Sequence, residues 1–321
     1  MIKLKQSAST GETVRIQQSN ILSRALYRLY KERALWLLAL PGILWYLIFA
    51  YAPMYGLVIA FQNYSPARGM FGGPWVGFEH FISFFSSQFA WRVVRNTVLL
   101  SVYGIIFGFP VPIFLAIMLN EVKVNWFKRF AQSVSYLPHF ISVVIVVGMV
   151  VNFVSPEGII NQAVVALGGE SRNFLIMPEW FRTIFISSVV WQTAGWGSII
   201  YLAAISGIDP ELYEAATVDG ASRIKQIRHV TIPCLLPTIT ILLILNVGTI
   251  LSVGFERVLL LYNPATFETA DVIATFVFRR GIGGGEFSYG AAVGMFQSVV
   301  NLLLVVSANA ISRKVSETSL W

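Results

Sequence analysis

DPELYEAATVDGASRIKQIRHVTIPCLLP, residues 209–237, is a polar, glycine-punctuated insertion in a chain that otherwise runs apolar for long distances. Its front half reads as a short helix. Asp209 suits the cap, where a side-chain oxygen accepts from free backbone N–H groups, and Pro210 suits the first helical position. Glu211 and Glu214 favour the positive end of the helix dipole. Leu212, Ala215, Ala216 and Asp219 fall at helical spacing, which gives one small, apolar side suited to seating in a groove. Gly220 then stops or sharply turns the helix. A second amphipathic piece follows, with Ile224 and Ile227 on one side and Arg223, Lys225 and Arg228 on the others. Pro233 and Pro237 mark entry into the next apolar run.

The surroundings of this insertion set the class of protein. Of 321 residues, 56% are hydrophobic and 12% charged, and the mean hydropathy is +0.68. That is too little polar surface to cover a water-soluble body, so the chain reads as an all-α integral membrane protein. A single cysteine, Cys234, excludes a disulfide framework, and three scattered histidines, His80, His139 and His229, form no metal-binding pattern. No catalytic residue and no metal ligand stands out. The net charge of +7 reflects membrane topology before it suggests nucleic acid, and no nucleic-acid partner is expected. The polar, basic first thirty residues and the absence of a small-residue cleavage pattern argue against a cleavable signal peptide.

Three regions are expected: a basic cytoplasmic segment at 1–33, helical near Arg24–Arg33; a six-span domain at 34–311 carrying the cytoplasmic loop 209–233; and a cytoplasmic tail at 312–321. The six spans are placed at Ala34–Phe61, Thr97–Leu119, Leu137–Val154, Thr183–Ser206, Leu235–Phe255 and Ser288–Ile311. At about 1.5 Å per residue these lengths match a hydrocarbon core of about 30 Å. Pro41, Pro53, Pro110 and Pro112 should bend the first two. With the N-terminus inside, fifteen lysines and arginines fall on the cytoplasmic side and eight on the outer side, and every lysine is among the fifteen. Positive charge favours the inside, so loop 209–233 is expected in the cytoplasm. On the outer side, Phe84 to Trp91 reads as an amphipathic stretch in the membrane interface.

Glu214-Ala215-Ala216, Gly220 and Val230-Thr231-Ile232-Pro233 stand at the spacing of one known motif. They resemble the EAA loop of permease subunits of binding-protein-dependent ABC importers. Val230 and Ile232 replace the usual Ile and Leu of its tail, which keeps the shape and makes that end imperfect. The run Trp75 to Leu100, with Arg95-Asn96-Thr97, is similar to carbohydrate permeases, especially the oligo- and polysaccharide subgroup to which permeases of alginate importers belong. The resemblance implies a type I ABC importer permease fold in a bacterial cytoplasmic (inner) membrane, working by alternating access. It implies three kinds of partner besides membrane lipid: a homologous second permease, a pair of ATP-binding cassette subunits, and an external solute-binding protein. Leu212, Glu214, Ala215, Ala216, Asp219 and Gly220 would form the coupling helix that docks in a groove of the ATPase. The chain has no Gly-x4-Gly-Lys-Ser/Thr loop, so ATP and Mg would be held by the partners and no cofactor by this chain. Gly281–Glu286, lacking a strand-turn-helix context, reads as a turning loop and not a nucleotide site.

Polar and aromatic groups at membrane depth are costly against lipid and so mark candidate path residues. Trp191, Gln192 and Trp196 cluster in the fourth span beside Gly195 and Gly197. Indole faces suit the C–H faces of sugar rings, while tight packing between helices explains the same cluster equally well. Asn246, Gln297 and Asn301 are further candidates, with interhelical hydrogen bonding as the simpler explanation. Glu256 and Arg257 fit either an external gate or, better, structural ion pairs with neighbouring groups; His139 fits a satisfied interface histidine. A basic outer face permits an acidic saccharide. The terminal Leu320-Trp321 suits burial in a partner groove or anchoring at the interface. Two rivals, a secondary transporter and a membrane-embedded glycan enzyme, would need mid-membrane acids or clustered carboxylates, which the spans do not supply.

Overall fold

The computed structural model describes residues 31–248 and 251–315; the basic segment at 1–30 and the terminal Leu320-Trp321 lie outside them. The chain divides into two units, residues 1–56 and 57–321. Among the described residues there is no strand, only isolated bridges pairing Gln62 with Trp75 and Ser65 with Gly69.

Helix α1, Arg33–Phe61, passes from the first unit into the second. In the first unit it is apolar all round, and none of Arg33–Trp45 is buried. In the second unit α2 (Glu79–Ser86) is short, α3 (Ala90–Glu121) is long, and α4 (Asn125–Tyr136) lies beyond it. A tight turn at Leu137–Phe140 leads to α5 (Val143–Val154) and α6 (Ile159–Ala166). Then come α7 (Pro178–Ser206), α8 (Pro210–Val218), α9 (Arg223–Gly248), α10 (Phe255–Leu261), α11 (Ile273–Val277) and α12 (Phe287–Val315).

Proline shapes three of the long helices. Wide π-type turns occupy Tyr46–Tyr51, Gly104–Gly108 and Ile227–Thr231, each ending two residues before Pro53, Pro110 or Pro233. A proline ring clashes with the carbonyl four residues earlier and offers that carbonyl no N–H, so the preceding turn widens to accommodate it.

Five helical runs among the described residues are long and apolar enough to cross a membrane: Arg33–Phe61, Ala90–Glu121, Val143–Ala166, Arg223–Gly248 and Phe287–Arg313. The expected fourth span is present as α7, 29 residues long, but is not one of these five. Its middle carries Gln192, Thr193, Gly195 and Gly197, and ten of its residues are buried. A helix so surrounded by protein need not be apolar on every face, which explains its lower hydropathy.

That helix is the axis of the second unit. One core cluster packs Phe181, Phe185 and Ile186 of α7 against Leu100 of α3, Val147 of α5 and Val258 of α10. Farther along, Tyr201 and Ile205 meet Ala116 and Ile117 of α3 and Leu235 of α9. A third cluster joins Phe84 of α2, Val93 of α3, Phe276 of α11 and Tyr289 of α12. Phe84 is therefore a core residue, while Trp91 is 74% exposed. Between helices in lipid the hydrophobic effect adds little, so close backbone approach carries the packing. Gly195 provides it: a Cβ there would lie 1.9 Å from the carbonyl oxygen of Ser135 in α4.

The expected fifth span is interrupted. Helix α9 ends at Gly248, residues 251–254 are not helical, and α10 begins at Phe255. Free backbone groups at membrane depth must find partners. Gln297 Nε2 donates to the Leu251 carbonyl at 2.7 Å, and the Leu251 N–H donates to Asn301 Oδ1 at 3.2 Å. Helix α12 thus supplies what a continuous helix would have supplied.

Candidate translocation cavity and coupling surface

Helix α8 is built from its own sequence. The Asp209 side chain accepts from the Glu211 N–H at 3.0 Å, and Pro210 occupies the first turn. At the other end Gly220 takes φ +72°, the Gly220 N–H donates to Thr217 O at 3.0 Å, and the Ala221 N–H donates to Ala216 O at 2.9 Å. This reversal favours glycine. The side facing the protein is fastened by polar groups. Tyr213 and Thr231 share a hydrogen bond of 2.9 Å, and Gln226 Nε2 donates to Thr217 Oγ1 at 2.9 Å. Arg223 Nε donates to Glu121 Oε2 at 3.0 Å, which joins the loop to the end of α3. Leu212, Glu214, Ala215 and Asp219 are exposed, Ala216 is half-buried, and Val218 is 88% exposed. An apolar-edged knob is left facing outward.

A cavity of about 800 Å³ opens between α3, α7 and the α9–α10 junction. Its wall includes Ser101, His139, Thr193, Trp196, Tyr201, Asn246, the interrupted segment Ser252–Gly254, Glu256 and Arg257. The Trp196 indole stacks on the His139 ring, with centroids 4.6 Å apart and planes 3° apart. Of the six candidate path residues, Trp196 and Asn246 line this cavity. Gln192 is buried behind its wall, donating to Ile141 O at 2.8 Å and accepting from Arg257. Trp191 faces a separate apolar cavity of about 380 Å³ with Phe153, Phe174 and Trp180. Gln297 and Asn301 hold the Leu251 backbone instead.

Arg257 forms no ion pair with any carboxylate among the described residues. It is buried, and its guanidinium donates to Ser188 Oγ at 2.9 Å and to Gln192 Oε1. The expected structural ion pair is thus replaced by two neutral acceptors from α7.

A charged hub on the expected outer side went unnoticed in the sequence. Asp271 is fully buried and accepts from Arg279 Nη2 at 2.7 Å, Arg92 Nη2 at 3.4 Å and Thr275 Oγ1 at 3.0 Å. Asn96 donates to Glu268 O at 2.9 Å and Asp271 O at 3.1 Å, and accepts from Arg182 Nη2 at 3.1 Å. Burial pulls the Arg279 pKa down, but the hydrogen bond and charge of Asp271 outweigh it and leave the group above its ordinary value. The Arg95-Asn96-Thr97 run was the available signal; Asp271 itself lies in a segment with no pattern of its own.

Residues 108–317 match the family model described as "Binding-protein-dependent transport system inner membrane component". This chain belongs to that family. The permease is 45% identical, over 93% of both chains, to the polygalacturonan/rhamnogalacturonan transport system permease protein YteP of Bacillus subtilis (strain 168). It is 42% identical to protein LplB of the same organism, over 91% of this chain and 92% of that one. Among solved structures it is similar to a chain of a bacterial alginate ABC transporter in complex with an alginate pentasaccharide-bound periplasmic protein. The TM-score is 0.86 and the identity 45%, over 92% of this chain and 100% of that one. A chain of the MetNI methionine ABC transporter, 15% identical with a TM-score of 0.52 over 74% of this chain and 99% of that one, shares the fold alone. The permease is therefore an all-helical, multi-pass membrane component of an ABC-type importer, with the type I permease fold.

Proposed function

We propose that the chain is the membrane subunit of an ATP-driven importer for an acidic oligosaccharide in a bacterial inner membrane. The observation that carries this reading is the 45% identity, over nine-tenths of the chain, both to a polygalacturonan/rhamnogalacturonan permease and to a chain of an alginate transporter. Both names point to polymers rich in uronic acid. An external binding protein delivers the saccharide, a second permease completes the path, and two ATPase subunits power it.

In this reading the membrane is crossed six times, with the N-terminus inside. Helix α7 is the fourth crossing and completes the six: its 29 residues span about 43 Å at 1.5 Å per residue, enough for a hydrocarbon core of about 30 Å. Helix α8 then lies on the cytoplasmic side, where Leu212, Glu214, Ala215, Ala216, Asp219 and Gly220 form the surface that an ATPase groove grips. Its polar fastenings to α9, which is itself tied to α3 through Arg223 and Glu121, support that role, because a lever must be stiff where it joins its load. The saccharide passes through the cavity beside Trp196 and Asn246.

The test is uptake by proteoliposomes holding the complete complex, with the binding protein, ATP and a labelled oligouronide. Uptake that needs both ATP and the binding protein is expected. Transport by this chain without an ATPase, or uptake of neutral maltodextrins and no uronates, overturns the proposal.

A further inference from the structure

We propose that Arg257 is the carboxylate-reading residue of the cavity, so that the permease itself, and not only its binding protein, selects uronate over neutral sugar. The proposal rests on the saccharide-permease reading and assigns its selectivity to one side chain.

The first ground is charge without a counter-charge. Arg257 retains 6% of its surface, and among the described residues no carboxylate stands within ion-pair distance. Buried charges are ordinarily paired, because removal from water is costly. Arg92 and Arg279 of the outer hub obey this rule through Asp271. Arg257 does not, although it lines the cavity of about 800 Å³.

The second ground is how the guanidinium is held. Ser188 Oγ spends its own proton on Phe185 O at 2.6 Å, and Gln192 Nε2 spends its own on Ile141 O at 2.8 Å. Each therefore turns an oxygen toward Arg257, which donates to both. These neutral acceptors orient the fork without neutralising it. A guanidinium has five N–H donors, and these two bonds use two of them. A planar fork with free donors matches the two oxygens of a carboxylate.

The third ground is the company it keeps. Glu256 is exposed on the same wall and takes no described partner; an anionic acceptor suits the hydroxyl protons of a sugar ring. Trp196, fixed by its stack on His139, presents an indole to the same space. One acid, one cation and one aromatic plate match a uronate, which has hydroxyls, a carboxylate and an apolar ring face. A cavity of about 800 Å³ accommodates a short oligosaccharide.

The experiment uses the complete complex in lipid nanodiscs, without nucleotide or binding protein. Equilibrium dialysis measures a labelled oligogalacturonide and its carboxyl-reduced, neutral counterpart. Arg257→Gln is expected to lower the uronate-to-neutral affinity ratio by roughly tenfold or more, the loss of a charge-assisted hydrogen bond. Arg257→Lys, which keeps the charge and loses the fork, is expected to fall between. An unchanged ratio in Arg257→Gln, or an equal loss of both ligands, overturns the assignment and marks Arg257 as structural. If wild-type complex binds neither saccharide, the acidic-saccharide reading falls with it; a wild type that binds while the ratio ignores Arg257 sinks this inference alone.

Discussion

The hydroxyls of Tyr213 and Thr231 meet at 2.9 Å across eighteen residues of chain, tying the exposed helix α8 to the foot of α9. Gln226, buried between them, adds a second tie to Thr217, and Arg223 carries the connection on to Glu121 at the end of α3. A displacement of α8 is therefore delivered to two long helices together.

Tyr213→Phe removes only the hydroxyl of that tie. A neutral hydrogen bond of this kind contributes about 1 kcal/mol, so the complex is expected to assemble and to hydrolyse ATP. Uptake per ATP hydrolysed should fall severalfold, because the stroke is partly lost in a slack joint. Parallel assays of uptake and phosphate release in proteoliposomes check this. A ratio equal to wild type would show that stiffness at Tyr213 plays no part in coupling.

Gly220 offers a graded series. Its φ of +72° disfavours side chains, yet a Cβ there meets nothing within 4 Å, so conformation alone sets the cost. Gly220→Asn should be mild, and Gly220→Ala should cost about 1–2 kcal/mol. Gly220→Pro, whose ring fixes φ near −65° and which lacks the N–H donated to Thr217, should abolish uptake while leaving membrane insertion intact. Uptake ranked in any other order, measured against equal amounts of inserted protein, would contradict the role given to this turn.

Helix α8 was legible because its determinants are local. Asp209, Pro210 and Gly220 act on backbone groups within a few residues, and their chemistry does not depend on the rest of the fold. The long helices were legible from apolar length, α7 included at Thr183–Ser206, although its buried position frees it from the composition that lipid demands. What stayed hidden depends on distant partners. The break at Leu251 is made tolerable by Asn301, fifty positions on, and an unbroken apolar run through Phe255 was the natural expectation. Arg257 finds Ser188 and Gln192 at separations of 69 and 65 residues, and no spacing rule predicts such pairs.

Asp271→Asn tests the outer hub. The substituted amide would turn N–H groups toward a site now occupied by donors from Arg92, Arg279 and Thr275. Breaking a buried pair costs about 3–5 kcal/mol; both arginines keep roughly a third of their surface in solvent, which places this change at about 3 kcal/mol. The expected outcome is a purified complex that unfolds several degrees below wild type. A midpoint equal to wild type would mean the hub is ornamental to stability.

The clamp on the interrupted fifth span makes the strongest demand on the fold. Gln297 and Asn301 each satisfy a backbone group of Leu251, and Asn301 Nδ2 also reaches Ser252 Oγ at 3.3 Å. Residues 252–254 form part of the cavity wall, so the clamp fixes the shape of the path. Asn301→Leu leaves the Leu251 N–H without its acceptor, at a cost of about 1–3 kcal/mol for an unmet buried donor. Gln297→Leu does the same to the carbonyl. The two changes act on one peptide segment, so their effects should not add: the first to loosen it removes much of what the second could lose. Thermal unfolding of the single and double variants, run as a double-mutant cycle with uptake measured alongside, is expected to show a coupling energy above about 0.5 kcal/mol. Strict additivity would mean that the two side chains support separate structures, and the segment would then lose its claim to be one clamped element.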